Sequence, residues 1–171
     1  MERLQASDSP SYIGALNQIA LTEYRAHGFY LAWARSTDDE DVERVMRIVA
    51  LRELEHASAI QNRIFELGHL PVDGPHDFGA QCDEWLALFA SDASDLDKFL
   101  GFGFKDPDRL PRDNFHEIFL DDTLDSATGA LLGRYIAEER ESATMFLKVY
   151  AKLLARENAG HVAEPAASPA K

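Results

Sequence analysis

Hydrophobic residues recur at helical spacing in four long stretches of the chain, and the first stretch follows Ser9-Pro10. Ser9 can act there as an N-cap and Pro10 as the first residue of a helix. The inward-facing positions then alternate in steps of three and four, which predicts one face of an α-helix. These positions are Ile13, Leu16, Ala20, Glu23, His27, Tyr30 and Ala34. Thr37 and Glu40 form a Thr-x-x-Glu capping box, so we expect a second helix to follow at once and to run antiparallel to the first.

The other three stretches show the same spacing. The second has Val42, Met46, Val49, Glu53, His56, Ile60, Ile64 and Leu67; the third has Cys82, Trp85, Phe89, Asp92, Leu96 and Phe99; the fourth has Thr128, Leu132, Tyr135, Glu139, Ser142, Phe146, Val149 and Leu153. Gly/Pro-rich connections at 68–79 and 101–114 separate them, with a short amphipathic piece at 115–125 before the last helix. No stretch alternates like a strand, so we predict an all-α fold, an antiparallel four-helix bundle over residues 10–157 with a long connection between its helix pairs. Residues 158–171 have no periodic face and predict a disordered tail.

Composition narrows the range of partners. The 171 residues carry a net charge of −13 without any cluster of Lys and Arg, which argues against nucleic acid and anionic membrane surfaces. The single cysteine, Cys82, excludes an intramolecular disulfide. No stretch reaches the length of a spanning helix, and no apolar leader begins the sequence, so we expect a cytoplasmic protein. Nucleotide-binding motifs are missing as well, and we expect neither nucleotide nor haem.

Ionisable residues occupy inward-facing positions near the middle of all four predicted helices. They are Glu23, Glu53, His56, Asp92 and Glu139. Burying an unpaired charge costs several kcal/mol, so these residues need partners. In an antiparallel bundle they would meet at one level, where their carboxylates would repel one another. Metal cations bound among the carboxylates and the imidazole would remove that conflict.

Glu53 and His56 are three residues apart, so both face the same side of one helix. With Glu23 on the preceding helix, this Glu-x-x-His resembles the ferritin-like di-iron carboxylate proteins, such as ferritin, bacterioferritin and rubrerythrin. The resemblance implies that Glu23, Glu53, His56, Asp92 and Glu139 bind iron, with manganese or a mixed pair as alternatives. It further implies ferrous oxidation or O₂/peroxide activation, as in a di-iron oxidoreductase of the ferroxidase type, in a homodimer or small homo-oligomer.

Two ligand positions stay open at this point. For the third helix the alternatives to Asp92 lie in HEIFLDD, namely Glu117, Asp121 and Asp122. On the fourth helix Ser142 stands where the family pattern has histidine, and Glu138 or Glu141 could supply an oxygen instead.

A rival hypothesis needs no metal. The Arg52 guanidinium lies beside the inward-facing positions of the second helix and could neutralise carboxylates by itself. Ser142 favours this possibility because it removes one expected metal ligand. The chain would then be a metal-free ferritin-like bundle that binds a small ligand or acts as an interaction module.

Overall fold

The computed structural model describes residues 10–72, 79–106 and 115–163. Their secondary structure consists of helices and connecting turns, which confirms the all-α prediction for this part of the chain. The α-helices are α1 (Ile13–Ser36), α2 (Glu40–Glu66), α3 (Gly79–Ala90), α4 (Asp95–Gly101) and α5 (Ser126–Ala163), and a 3₁₀ helix covers Phe115–Leu120. Among the helices in these ranges, none is both long enough and apolar enough to cross a membrane.

The turn between α1 and α2 is as short as predicted, but a different residue caps it. Asp39 is the N-cap of α2, and its side chain accepts hydrogen bonds from the backbone N–H groups of Asp41 and Val42. Thr37 instead ends α1 and accepts the Asp39 N–H at 3.1 Å. The predicted capping box of Thr37 and Glu40 is therefore wrong, because Asp39 directly precedes the first helical residue, where a cap must lie.

Helix α2 packs antiparallel to both α1 and α5. Along each interface the residue numbers rise on one helix while they fall on the other. The cross-helix pairs are His27–Ala50 and Glu23–His56 for α1 and α2, and Arg63–Thr128 and Asp41–Lys152 for α2 and α5. It follows that α1 and α5 run in the same direction, with α2 between them.

The predicted third helix is two shorter ones, separated at residues 91–94. Serine side chains compete with the helical backbone for hydrogen bonds, and they do so here. Ser91 accepts the N–H of Ala93 at 3.2 Å, and Ser94 accepts the N–H of Asp97 at 3.1 Å as the N-cap of α4. Both short helices pack at one end of the structure, where the rings of Trp33 and Phe89 stack 4.7 Å apart.

Among the residues that the structure describes, the hydrophobic core has two parts. The first, which we call the aromatic cluster, has Phe29, Tyr30, Trp33, Val42, Met46, Phe99, Phe146 and Val149 among its members. The second, which we call the aliphatic cluster, is made of Tyr12, Leu16, Ala20, Ile60, Ile64, Leu132, Tyr135 and Ile136. Along α1, α2 and α5, the ionisable positions singled out from the sequence lie between these two parts.

The ends of α2 and α5 can be compared with the boundaries predicted from the sequence. Helix α2 closes at Glu66 and is followed by Gly68 with φ of 82°, as the sequence predicts. Helix α5 continues to Ala163, past the predicted end at residue 157. The sequence has no proline between Ser126 and Glu164, and a helical conformation is disfavoured only for the residue directly before Pro165, so the helix can extend this far. Ser9 and the rest of the predicted tail, residues 164–171, lie outside the described residues.

Candidate metal centre

Four of the five predicted metal ligands meet at one level of the structure. Glu23 lies on α1, Glu53 and His56 on α2, and Glu139 on α5. One donor atom of each side chain lies within 4.8 Å of the donor atoms of the other three. His56 Nδ1 is 3.7 Å from Glu23 Oε2, 3.9 Å from Glu53 Oε2 and 3.3 Å from Glu139 Oε1. We refer to these residues as the carboxylate–histidine cluster.

Three of the four cluster residues are buried and Glu139 is half-buried, and three buried polar atoms of the cluster have no hydrogen-bond partner. Glu23, Glu53 and His56 are each no more than 5% exposed. The unpartnered atoms are Glu23 Oε2, His56 Nδ1 and Glu139 Oε1, which approach one another without hydrogen-bonding geometry. Each unsatisfied buried polar group costs about 1–3 kcal/mol, so the protein is less stable for holding them together. A bound cation would satisfy all three atoms at once.

The pKa values of the cluster residues reflect an excess of negative charge in a buried place. Burial raises the pKa of Glu53 from 4.5 to about 10, and the Glu23 and Glu139 carboxylates contribute to the rise. Burial likewise raises the pKa of Glu139. For His56, burial alone would lower the pKa, but the surrounding carboxylates raise it from 6.5 to about 12. Without a cation, the cluster therefore retains protons at neutral pH that a metal would displace.

A second set of contacts orients the cluster from outside. His56 Nε2 donates to Glu138 Oε2 at 2.7 Å. Burial alone would raise the pKa of Glu138, but Arg134 and His56 hold it below its ordinary value, so this carboxylate is the acceptor. Arg134 Nε donates to the other Glu138 oxygen at 2.9 Å. The Nε2 proton is thus hydrogen-bonded to Glu138, outside the cluster. This hydrogen bond orients the ring so that Nδ1 faces the three carboxylates of the cluster, as in carboxylate–histidine–metal arrangements.

Tyr135 supports the cluster on the side of α1. Its hydroxyl donates to Glu23 Oε1 at 2.9 Å, and its ring packs edge-on against the His56 ring with centroids 5.0 Å apart. Burial raises the pKa of Tyr135, with a further contribution from the nearby carboxylates, so the hydroxyl keeps its proton and remains a donor. Glu23 therefore has one oxygen held by Tyr135 and the other directed at His56 Nδ1.

The half of the site on α5 differs from the half on α2. Ser142 follows Glu139 by three residues, as His56 follows Glu53, and it is buried with 2% exposure. Arg52 donates to Ser142 Oγ at 3.2 Å through Nη1 and to Glu141 Oε2 at 2.6 Å through Nη2. The guanidinium therefore lies against α5, where its positive charge also acts on Glu139.

The fifth predicted ligand is not part of the cluster. Asp92 is exposed in the break between α3 and α4, so the prediction that it lies on the inner face of a continuous third helix is wrong. The alternatives for this position also lie elsewhere. Glu117 and Asp122 are exposed, and Asp121 accepts hydrogen bonds from Ser11 and Thr123. Within the described residues, all donors of the cluster come from α1, α2 and α5.

The alternatives proposed for the missing imidazole serve other roles. Glu141 is exposed and binds Arg52, and Glu138 binds His56 from outside the cluster. The role of Glu138 was not predicted, although a signal existed. Arg134 and Glu138 are four residues apart, a spacing that predicts an ion pair on the surface of α5. Such a pair fixes the Glu138 carboxylate, which can then orient a side chain of the facing helix, here His56.

The donor set suits one transition-metal cation. For metal–ligand bonds of about 2.1 Å, neighbouring donors of a tetrahedral cation are about 3.4 Å apart. The distances of 3.3–3.9 Å from His56 Nδ1 to the carboxylate oxygens are within about half an ångström of that spacing. Carboxylate oxygen together with imidazole nitrogen is a donor set that iron, manganese and zinc all accept. The residues present therefore fit a metal ion.

No protein-family model, no curated protein and no solved structure matches the chain. The resemblance to ferritin-like proteins thus depends on the residues discussed above, Glu23, Glu53, His56 and Glu139, and it stays a prediction.

Proposed function

We propose that this protein binds a transition-metal cation, iron by preference, through Glu23, Glu53, His56 and Glu139. The observation that carries the proposal is the meeting of three buried, unpartnered polar atoms from three different helices at one point. A folded chain does not retain such an arrangement without compensation, and a cation compensates every one of the atoms.

The architecture that we propose is a ferritin-like four-helix bundle. The long helices α1, α2 and α5 form three members of a ferritin-like four-helix bundle, and the α3–α4 pair takes the position of the fourth. The antiparallel contacts of α2 with its two neighbours are consistent with this arrangement. So is the packing of Trp33 against Phe89 of α3 and Phe99 of α4.

The role of each residue follows from its contacts. Glu23, Glu53 and Glu139 supply negative charge and oxygen donors, and His56 supplies one nitrogen through Nδ1. Glu138 and Tyr135 hold the His56 ring and the Glu23 carboxylate in place. Iron bound here would supply redox chemistry with O₂ or peroxide, as the ferritin-like resemblance implies. The surrounding aromatic and aliphatic clusters keep bulk water away from the donors.

Metal analysis tests the proposal. The protein is purified without added metal or chelator and assayed for iron, manganese and zinc before and after anaerobic loading with ferrous ion. We expect the wild type to retain metal and a Glu53→Ala/His56→Ala double variant to lose it. A Glu43→Ala/Arg47→Ala variant, which removes an exposed ion pair on the same helix, is the matched control. Equal metal contents in wild type and the Glu53/His56 variant would refute metal binding at the cluster.

One observation favours the metal-free alternative, a binding or interaction module. Arg52 and a protonated His56 place two positive charges near the three carboxylates. In that case the protein would contain no metal, and removing Arg52 would destabilise it more than a chelator does. Thermal unfolding of Arg52→Ala beside wild type in EDTA distinguishes the two possibilities.

A further inference from the structure

The two halves of the candidate site differ in a way that bears on how many ions it holds. On α2 the donors are Glu53 and His56, one turn apart, whereas on α5 the corresponding pair is Glu139 and Ser142. A serine hydroxyl is neutral and a weak ligand beside an imidazole or a carboxylate. In this protein the Ser142 oxygen already accepts a hydrogen bond from Arg52.

The spacing of the donors points to a single ion. In two-metal sites the ions are about 3.5–4 Å apart, so donors at opposite ends of such a pair are separated by about 6–8 Å. Here the four donor atoms all lie within 4.8 Å of one another. These four atoms can bind one ion, whereas Ser142 offers only a hydroxyl that already accepts a hydrogen bond from Arg52.

Arg52 supplies a fixed positive charge next to that point. Its guanidinium carries a positive charge, and two hydrogen bonds to α5 keep it in place. The same charge acts on Glu139 across the interface between α2 and α5. A second cation on this side would be repelled by Arg52 and would find no nitrogen ligand.

We infer that the site binds one divalent cation per chain, and that the Arg52 guanidinium, held by Ser142 and Glu141, takes the place of a second ion. This inference rests on the proposed function, because it assumes that the carboxylate–histidine cluster binds metal. It goes further in assigning Arg52 a role at the site as a permanent cation that limits its capacity to a single metal ion.

Titration with Mn²⁺ tests the inference. The chain of 171 residues, first stripped of metal, is titrated by calorimetry, and bound manganese is counted by elemental analysis after gel filtration. We expect one Mn²⁺ per chain and the electron paramagnetic resonance spectrum of an isolated ion. Two Mn²⁺ per chain with an exchange-coupled spectrum would overturn the inference and leave the proposed function standing. No bound metal after titration with Mn²⁺ and after anaerobic loading with ferrous ion would overturn both.

A pair of variants tests the role of Arg52 directly. The double variant Arg52→Ala/Ser142→His removes the fixed charge and adds the missing imidazole, and we expect it to bind two Mn²⁺ per chain. The control Arg44→Ala/Ser58→His makes the same changes on the exposed face of α2 and should still bind one. A double variant that folds, by its helical circular dichroism, and still binds one ion would refute the role of Arg52. Should it not fold, the wild-type stoichiometry decides the question.

Discussion

Replacing Glu53 by glutamine should stabilise the metal-free protein while abolishing metal binding. Glu53 is 3% exposed, and burial raises its pKa from 4.5 to about 10. At pH 7 the folded, metal-free protein therefore keeps the Glu53 proton, whereas the unfolded chain releases it. Glutamine has the shape of the protonated acid and its polarity, so the variant folds without taking up a proton.

The size of the effect follows from the pKa shift. Because the folded-state pKa is raised, this group's contribution to stability is complete below pH 4.5 and is lost as the pH rises toward 10. Each pH unit in that window costs about 1.4 kcal/mol, so at pH 7 wild type has lost about 3 kcal/mol. Glutamine avoids this loss. We expect Glu53→Gln to raise the free energy of unfolding by up to about 3 kcal/mol at pH 7 and by less than about 1 kcal/mol at pH 5.

Urea unfolding in EDTA at pH 5, 6 and 7 measures the difference. The control is Glu43→Gln, an exposed substitution on the same helix, which should change little at any of these pH values. Adding Mn²⁺ should then reverse the order of stability. A ligand at one thousand times its Kd stabilises the folded state by about 4.1 kcal/mol, which exceeds the difference of about 3 kcal/mol, and only wild type should gain this.

Two results would refute the reasoning. If metal-free Glu53→Gln were less stable than wild type at pH 7, a buried carboxylate could not be what destabilises the cluster. If its advantage were the same at pH 5 and pH 7, the effect would have no connection to the proton on Glu53.

Three further predictions concern other residues. Asp39→Ala removes the N-cap of α2 and should lower the free energy of unfolding by about 1 kcal/mol in urea; an equal loss in the exposed Asp38→Ala would contradict this. Glu138→Gln weakens the acceptor of His56 Nε2, so the Kd for Mn²⁺ should rise at least about tenfold, and an unchanged Kd would deny that positioning role. Hydrogen bonds from neighbouring side chains, Thr128 first among them, hold the pKa of Asp125 far below its ordinary value of 3.8. The ionised Asp125 carboxylate therefore stabilises the folded protein above pH 3.8, and this stabilisation is lost as the pH falls below 3.8. Asp125→Asn should therefore melt below wild type at pH 7, with a gap that narrows at pH 3, and a constant gap in circular dichroism melts would argue against an ionic contribution.

The sequence predicted the long helices and the convergence of four residues because both follow from one periodicity. Glu23, Glu53, His56 and Glu139 lie in register with hydrophobic positions that must face the core. Once α2 packs antiparallel between α1 and α5, those positions can only meet at one level. The inner-face assignment was borne out even at Ser142, which is buried as its position in the pattern requires.

The hydrophobic pattern gave a wrong prediction where hydrogen bonds between near neighbours in the sequence determine the structure. Asp92 fits the helical spacing of its neighbours, but the serines around it capture backbone N–H groups and break the helix. The direction of Arg52 also could not be read from its position. A guanidinium next to Glu53 can turn toward α1 or α5, and only the packed structure shows that it turns to Ser142 and Glu141.

The position of the carboxylate–histidine cluster between the aromatic and aliphatic clusters has a consequence for how the helices align. Hydrophobic contacts tolerate sliding, since one apolar layer can replace another at little cost. If α2 slid by one turn, Glu53 and His56 would be forced among rings or aliphatic side chains, away from Glu23 and Glu139. Buried polar groups without partners there would cost about 1–3 kcal/mol each, and the apolar contacts of the shifted register would not offset this cost. The same residues that we propose bind metal therefore also fix the register of the three long helices.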